Sequence, residues 1–300
     1  MDEAAEHFAQ RFEEHRGHLR AVSYRMLGSL SEAEDAVQEA WLRAGRADRT
    51  GVENLGGWLT TIVARVCLNM LRSRGTRREA ALDVQDYEYV RVPDPVLGPV
   101  DAADPEQEAL LADSVGLALM VVLETLAPAE RLAFVLHDMF AVPFDDIAPI
   151  VDKTPAAARQ LASRARRRVR GRAPSPSTDR ARQREVVEAF IAAARGGDFE
   201  ALLALLDPDV VLRADAGGLP TTKLVRGARK VAEQAHSFRR FAPLNRVVLV
   251  NGMPGIVGVS EGRAFSVLSF TLSPNGTITE LTILADPARI PTLDVSFLPG

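Results

Sequence analysis

The sequence predicts a multidomain fold: two all-α helical domains followed by an α+β domain. Apolar residues recur at helical spacing through residues 1–78 and again through 112–173. An acidic, proline-bearing stretch at 79–111 separates these runs, and a second break at 174–184 ends the latter. From 185 to 300, helical patterns come first and short β-rich runs follow, the order of an α+β domain. The 300 residues, 47% hydrophobic and 25% charged, have an ordinary globular composition. Collagenous, coiled-coil and largely disordered chains are excluded. No apolar run reaches the ~18–20 residues of a bilayer span, and the acidic start, Met1 to Glu6, lacks the apolar core of a secretory signal. One cysteine, Cys67, makes no internal disulfide and suits a reducing cytoplasm. Cys67 and five scattered histidines give no zinc-ligand spacing.

Element by element, Phe8, Phe12, Leu19, Val22 and Met26 mark the inner face of a first helix, broken at Gly28-Ser29-Leu30-Ser31. Ser31 with Glu34 has the spacing of a capping box for a second helix, Ala33–Leu42. A third helix starts near Gly57-Trp58 and carries Leu59, Ile62, Val63, Val66 and Met70 inward. The stretch 79–111 is too polar and too broken by proline to pack a core. Pro128 opens a helix with Leu132, Val135, Leu136 and Met139 on one face, and a short helix covers 144–151 despite Pro149. Thr154-Pro155 then gives a hydroxyl cap followed by proline at the first helical position. After Ala173-Pro174-Ser175-Pro176-Ser177, a helix with Val186, Val187, Phe190, Ile191 and Ala194 ends at Gly196-Gly197. Helices over 199–206 and 228–238 and strands over 210–212, 246–250, 255–259, 264–272 and 277–284 complete an antiparallel sheet domain. Asn275-Gly276 is the hairpin signal joining the last two strands.

Charge is unevenly placed. Of 36 basic residues 33 are arginine, a bias that a GC-rich genome alone also produces. Position says more: residues 60–78 hold five arginines and no acid, 79–113 ten acids and one arginine, and 154–177 seven arginines and no acid. Two basic surfaces joined by an acidic connector suit nucleic-acid binding. The helix pair 144–151 and 155–168 has helix-turn-helix proportions, which would aim Ala157, Arg159, Gln160 and Ser163 at base edges. Arg164, Arg166, Arg167, Arg168, Arg170 and Arg172 would hold phosphates. A solvated basic helix end has the same composition, and Asp152 stands where such turns often carry glycine. The acidic row Glu34, Asp35, Gln38 and Glu39 reads equally as a solvated face or a partner surface. Trp58 at the head of the third helix is either core or a platform for an unpaired base.

In their order and spacing, Tyr24-Arg25-Met26-Leu27-Gly28-Ser29, Glu32 to Arg43, Gly57 to Asn69, Leu126 to Arg131, Phe144 to Ala148 and Ser163 to Arg166 resemble the extracytoplasmic-function sigma factors of bacterial RNA polymerase. The resemblance spans residues 8–172. It implies a non-enzymatic cytoplasmic promoter-specificity subunit, with no catalytic residue, metal, cofactor or membrane contact. Its partners would be core RNA polymerase and promoter DNA. Core binding falls to Asp35, Gln38, Glu39 and Arg43. The minus-ten element falls to Trp58, Arg65, Asn69 and Arg72, with a base pocket in the loop 45–56. The minus-thirty-five element falls to Ala157, Arg159, Gln160, Ser163, Arg164 and Arg167.

Residues 185–298 resemble the SnoaL-like polyketide cyclases, a cystatin-like α+β cone around an apolar pocket with room for an unidentified small ligand. Asp215, His236 and Asp286 are the groups such a pocket could use as a base, though each is also explicable as a cap or surface group. Fold does not carry function, and the expected role of the tail is regulation in cis through Asp215, Gly217, Gly218, Asp286 and Pro287. These lie in short runs resembling motifs of tailed sigma factors, from which Ala216, Ala285, Ala288 and Arg289 depart. Asp215 or Asp286 is expected to meet the basic faces near Arg72–Arg78, and Tyr89 to Pro95 offers a second docking strip. The alternative is a helix-turn-helix regulator with a ligand-sensing tail, which would leave the Glu32–Arg43 surface without a purpose. A working cyclase fused to the sigma module is a further alternative.

Overall fold

The computed structural model describes residues 3–48, 50–81, 91–100, 116–172, 179–217 and 223–298. Most of the acidic connector, the proline-rich break at 173–178, Gly218, and the side chains of Arg77, Arg78 and Arg172 lie outside what is described. The chain forms two compact units, one of residues 1–85 and 122–172, the other of 86–121 and 173–300.

The first unit opens with α1 (Glu3–Leu27), α2 (Leu30–Arg46) and α3 (Leu55–Ala81). Phe12, Leu19, Val22 and Met26 of α1 are buried, as the spacing requires. Trp41 of α2 stacks on Phe8 at 5.3 Å and meets Phe12 edge-on at 4.9 Å, fixing the two helices together. Gly28, at φ +67°, turns the chain, and a Cβ there would clash with the Glu124 carboxylate. The cap position of α2 is Ser29, not Ser31: Ser29 is extended and its carbonyl takes the Ala33 N–H at 3.0 Å. Glu34 is turned to Arg16 and Arg20 at 3.3 and 2.8 Å, so no capping box forms. Leu59, Val63 and Val66 of α3 are buried, whereas Ile62 and Met70 are only half-buried.

After α4 (Leu117–Glu124), α5 (Pro128–Phe134) runs into one π-helical turn, Val135–Met139. The next helix, α6, stops at Phe144–Ile147 instead of reaching residue 151, because Pro149 has no N–H to extend the ladder. Asp152 makes the turn at φ +55°, the conformation for which glycine was absent. α7 (Pro155–Arg172) begins at the expected cap, with the Ala157 N–H on Thr154 Oγ1 at 3.2 Å.

The second unit contains α8 (Arg180–Gly196), α9 (Phe199–Leu205) and α10 (Ala228–Ser237) with a sheet. Asp179 caps α8 by accepting the Ala181 and Arg182 N–H groups, and Gly197 closes it at φ +67°. The strands are β1 (Leu97–Gly98), β2 (Leu206–Asp215), β3 (Lys223–Arg226), β4 (Asn245–Val250), β5 (Met253–Ser260), β6 (Arg263–Leu272) and β7 (Ile278–Leu284), in the order β1-β4-β5-β6-β7-β2-β3. The sheet is mixed, not wholly antiparallel: β2 pairs with β7 in parallel, with Leu212 opposite Leu281. Val187, Phe190 and Ile191 of α8 and Val231 of α10 build the core with Ile256, Phe270 and Leu281 of the sheet. Gln183 is buried among them, its amide donating to the Pro254 and Phe270 carbonyls at 2.9 and 3.1 Å.

Two strands escaped the sequence, and one of them corrects the reading of 79–111 as a bare linker. Residues 91–100 form a strap on the second unit. Val92 is 0% exposed, Pro93, Asp94 and Pro95 are buried, and Leu97 and Gly98 pair with Val250 and Leu249. Asn251 exchanges two bonds with Val96, donating its N–H at 2.8 Å and accepting on Oδ1 at 3.0 Å. Arg289 clamps the other end, donating to Asp94 at 2.7 Å, Asp215 at 2.9 Å and the Val92 carbonyl at 2.6 Å. Asp215 also accepts the Val92 N–H at 2.9 Å.

Arg289→Ala should leave two buried carboxylates without their cation and destabilise the second unit by about 3 kcal/mol. Calorimetry reads the loss, and hydrogen exchange should show the Val92 and Val96 amides unprotected. Burial pushes the Cys67 thiol from 9.0 up to about 12. Its thiolate fraction near neutral pH should therefore fall about a thousandfold. A disulfide reagent should titrate no thiol in the native chain and one after denaturation. The unfolded thiol ionises first, so its contribution to stability declines as pH rises from 9.0 towards 12.

Candidate nucleic-acid and partner interfaces

On α2 the buried side is Ala33, Ala36, Val37, Ala40 and Ala44. The opposite stripe carries Asp35, Gln38 and Arg43, all exposed, with Glu39 half-buried. Glu39 accepts from Arg43 Nε at 2.7 Å, one turn on. Between them stands Leu42, 51% exposed, which the sequence reading did not select. An apolar side chain framed by charge on one helical stripe suits a protein partner better than a purely solvated row. Its signal in the sequence was a leucine off the buried register.

Arg65, Asn69 and Arg72 are exposed on one face of α3, and Trp58 lies two turns N-terminal to Arg65 on the same line. Asn54, also unselected, caps this helix, its Oδ1 accepting the Gly57 N–H at 2.9 Å. Trp58 is neither core nor fully exposed. It borders an open cleft of about 670 Å³ with His15, His18, Thr61, Phe140 and Pro143. Asn54 and Gly56 are the residues of the 45–56 loop that reach this cleft. The two helical domains thus meet within the first unit. His18 touches Phe140 edge-on at 5.1 Å, and the Arg25 guanidinium lies 4.7 Å over the same ring. Arg131, 2% exposed, donates to the Arg25 carbonyl at 3.0 and 3.1 Å and to Glu124 at 2.9 Å.

On α7, Arg159, Gln160, Ser163, Arg164 and Arg167 are exposed and Ala157 is half-buried. Arg159 is held 5.3 Å over the Phe144 ring, itself stacked on His137 at 3.8 Å. The expectation that the arginine run is given over to phosphates needs correction. Arg164 and Arg168 pair with Glu130 at 3.4 and 2.7 Å, and Arg166 pairs with Asp138 at 2.5 Å. Glu130 is buried and needs those cations. Arg167 and Arg170 remain exposed.

In the second unit a cavity of about 300 Å³ opens between helices and sheet, walled by Phe190, Leu212, Phe238, Phe241, Phe265 and Leu268. Asp215, His236 and Asp286 do not line it. Asp215 accepts from the Val92 N–H of the strap and from Arg289. Asp286 accepts the Ala288 N–H at 2.8 Å, shaping the turn that holds Pro287, and lies against Gly217 at φ +65°. Among the described residues no group of histidine, cysteine or carboxylate side chains could hold a metal ion, and no helix is long and apolar enough to cross a membrane.

Comparison with known proteins identifies both helical domains. Residues 11–77 match Sigma-70 region 2 and residues 116–169 match Sigma-70, region 4. The chain is 40% identical over 293 residues to the ECF RNA polymerase sigma factor SigJ of Mycobacterium tuberculosis, covering 93% of this chain and 91% of that protein. It is 34% identical over 284 residues to the probable ECF RNA polymerase sigma factor SigI of the same organism, covering 93% of each. The crystal structure of M. tuberculosis SigJ superposes with a TM-score of 0.72 at 38% identity, over 94% of this chain and 97% of that one. Likeness of this extent includes the tail as well as the helical domains. Sigma domains bind core RNA polymerase and promoter DNA, and they direct initiation without catalysing it. With both sigma regions in order and whole-chain likeness to such factors, the chain belongs to the extracytoplasmic-function family of RNA polymerase sigma factors.

Proposed function

We propose that α2 holds core polymerase through Asp35, Gln38, Glu39, Leu42 and Arg43, that α3 captures the minus-ten strand through Trp58, Arg65, Asn69 and Arg72, and that α7 reads the minus-thirty-five element. There, Arg159 and Gln160 contact bases beside Ala157 and Ser163, while Arg167 and Arg170 grip phosphates. The reading places the factor in the cytoplasm beside the polymerase. Supporting it, each set lies on one stripe of one helix and most of its members are exposed.

The tail regulates this module in cis through the strap. The observation that carries this reading is that residues 91–100, inside the connector between the two promoter-reading domains, are built into the tail's sheet. Elements 25 base pairs apart are separated by ~85 Å at ~3.4 Å per pair. Promoter engagement therefore has to part Arg131 from Arg25 and open the Trp58–Phe140 cleft. Docking fixes the course of ten connector residues, which free would span at most about 33–36 Å at ~3.3–3.6 Å per residue. Asp215 and Arg289 serve as the clamp, while Gly217, Asp286 and Pro287 shape the turns beside it; Gly218 follows in the same run.

Asp35→Arg should abolish association with core polymerase while far-UV circular dichroism stays unchanged; undiminished competition for core would remove α2 from the interface. Arg159→Ala and Gln160→Ala should each relax minus-thirty-five preference by ~1–3 kcal/mol, whereas Arg170→Ala should weaken binding to all sequences alike and flatten the salt slope. The readout is binding to a promoter library at two salt concentrations. For the tail, Asn251→Gly keeps the turn at φ +49° but deletes the amide that holds Val96. That variant and a chain ending at residue 178 should shift promoter-directed transcription severalfold in the same direction. Transcription equal to the parent's in both would leave the tail without a regulatory role.

A further inference from the structure

The geometry points to the tail cavity as a binding site for a compact, uncharged, largely apolar molecule. Its volume, about 300 Å³, lies at the lower end of the roughly 300–1,000 Å³ range of small-molecule sites. Close-packed interiors keep few voids larger than a water molecule, so a cavity of this size is not a packing remainder. Short side chains hold it open: Ala194, Ala214, Ala235, Ala242 and Ala285 stand on its walls, where larger residues would fill it.

The lining fixes the ligand's class. Phe190, Phe238, Phe241 and Phe265 offer ring faces and edges, with Phe238 and Phe241 stacked at 6.1 Å and Phe241 tilted 5.6 Å from Phe265. Among the described residues no aspartate, glutamate, histidine, lysine or arginine lines the space. A charged ligand would lose its hydration there with no counter-ion to replace it. Gln234, Asn245 and Ser266 supply the polar wall atoms, enough to orient a carbonyl or hydroxyl group. Phe238 is 44% exposed while also lining the cavity, which sets an aromatic side chain at the point of entry. Among the described residues the walls carry none of the acids an enzyme on such a scaffold would need, so the molecule is held and not turned over.

The test uses the full chain with benzophenone as the neutral probe and 4-benzoylbenzoate as its anionic counterpart. Benzophenone should raise the melting midpoint in a concentration-dependent way, and on irradiation should label peptides carrying residues 231–245 and 265–268. The carboxylate should bind at least tenfold more weakly. Ala235→Phe, which fills the space, should cut labelling at least tenfold. Should that variant fail to fold, competition by naphthalene in the parent chain decides, and saturable loss of labelling is expected. Labelling elsewhere, equal binding of the carboxylate, or labelling that naphthalene does not compete would overturn the assignment.

Discussion

A guanidinium drawn out of water must be surrounded by acceptors, and an arginine in each unit shows how the chain meets that demand. Arg131 finds the Arg25 carbonyl and Glu124, and Arg289 finds Asp94, Asp215 and the Val92 carbonyl. Each joins segments far apart in sequence, so each is formed only when those segments are already in place. Arginine suits both because its planar fork addresses several oxygens at once. A lysine would leave acceptors unanswered in either position. The close approach at Gly28 and the conformation of Gly217 follow from the same demand, since both lie beside carboxylates that these knots and their turns bring close.

The helical half was legible because its signals are local. Phe12, Leu19 and Met26 repeat at helical spacing, Thr154-Pro155 caps as expected, and the exposed residues of α7 follow from the same periodicity. The tail's helices and hairpin were legible for the same reason. What escaped was long-range. A two-residue strand in an acidic, proline-bearing segment carries no period, and its partners, Asn251 and Arg289, lie more than 150 residues away. The parallel pairing of β2 with β7 is likewise a property of topology, invisible to alternation within either strand. Arg289 counted as a departure from a motif, yet it is the centre of the clamp. The pairing of Arg164, Arg166 and Arg168 was missed because Glu130 and Asp138 lie on another element. Leu42 was legible only by subtraction, as an apolar residue off the buried stripe.

Strand alternation decides where Asp215 of the second unit points. The space between helices and sheet stays open because short side chains line it. Here the strand that forms one wall alternates, with Ala214 and Ala216 on the cavity side while Asp215 between them reaches the strap. One carboxylate position is thereby committed to joining two chain segments, and the interior is left apolar.

The path of the chain also sets an order in time. The strap is made before the second helical domain, but the arginine that clamps it comes last. Arg289 follows Arg172 by 117 residues, about 6–23 s of synthesis at ~5–20 residues per second. During that interval on the ribosome both promoter-reading domains are complete while residues 91–100 still lack the arginine that clamps them. Each newly made molecule therefore passes through an unclamped period whose length is set by the rate of translation.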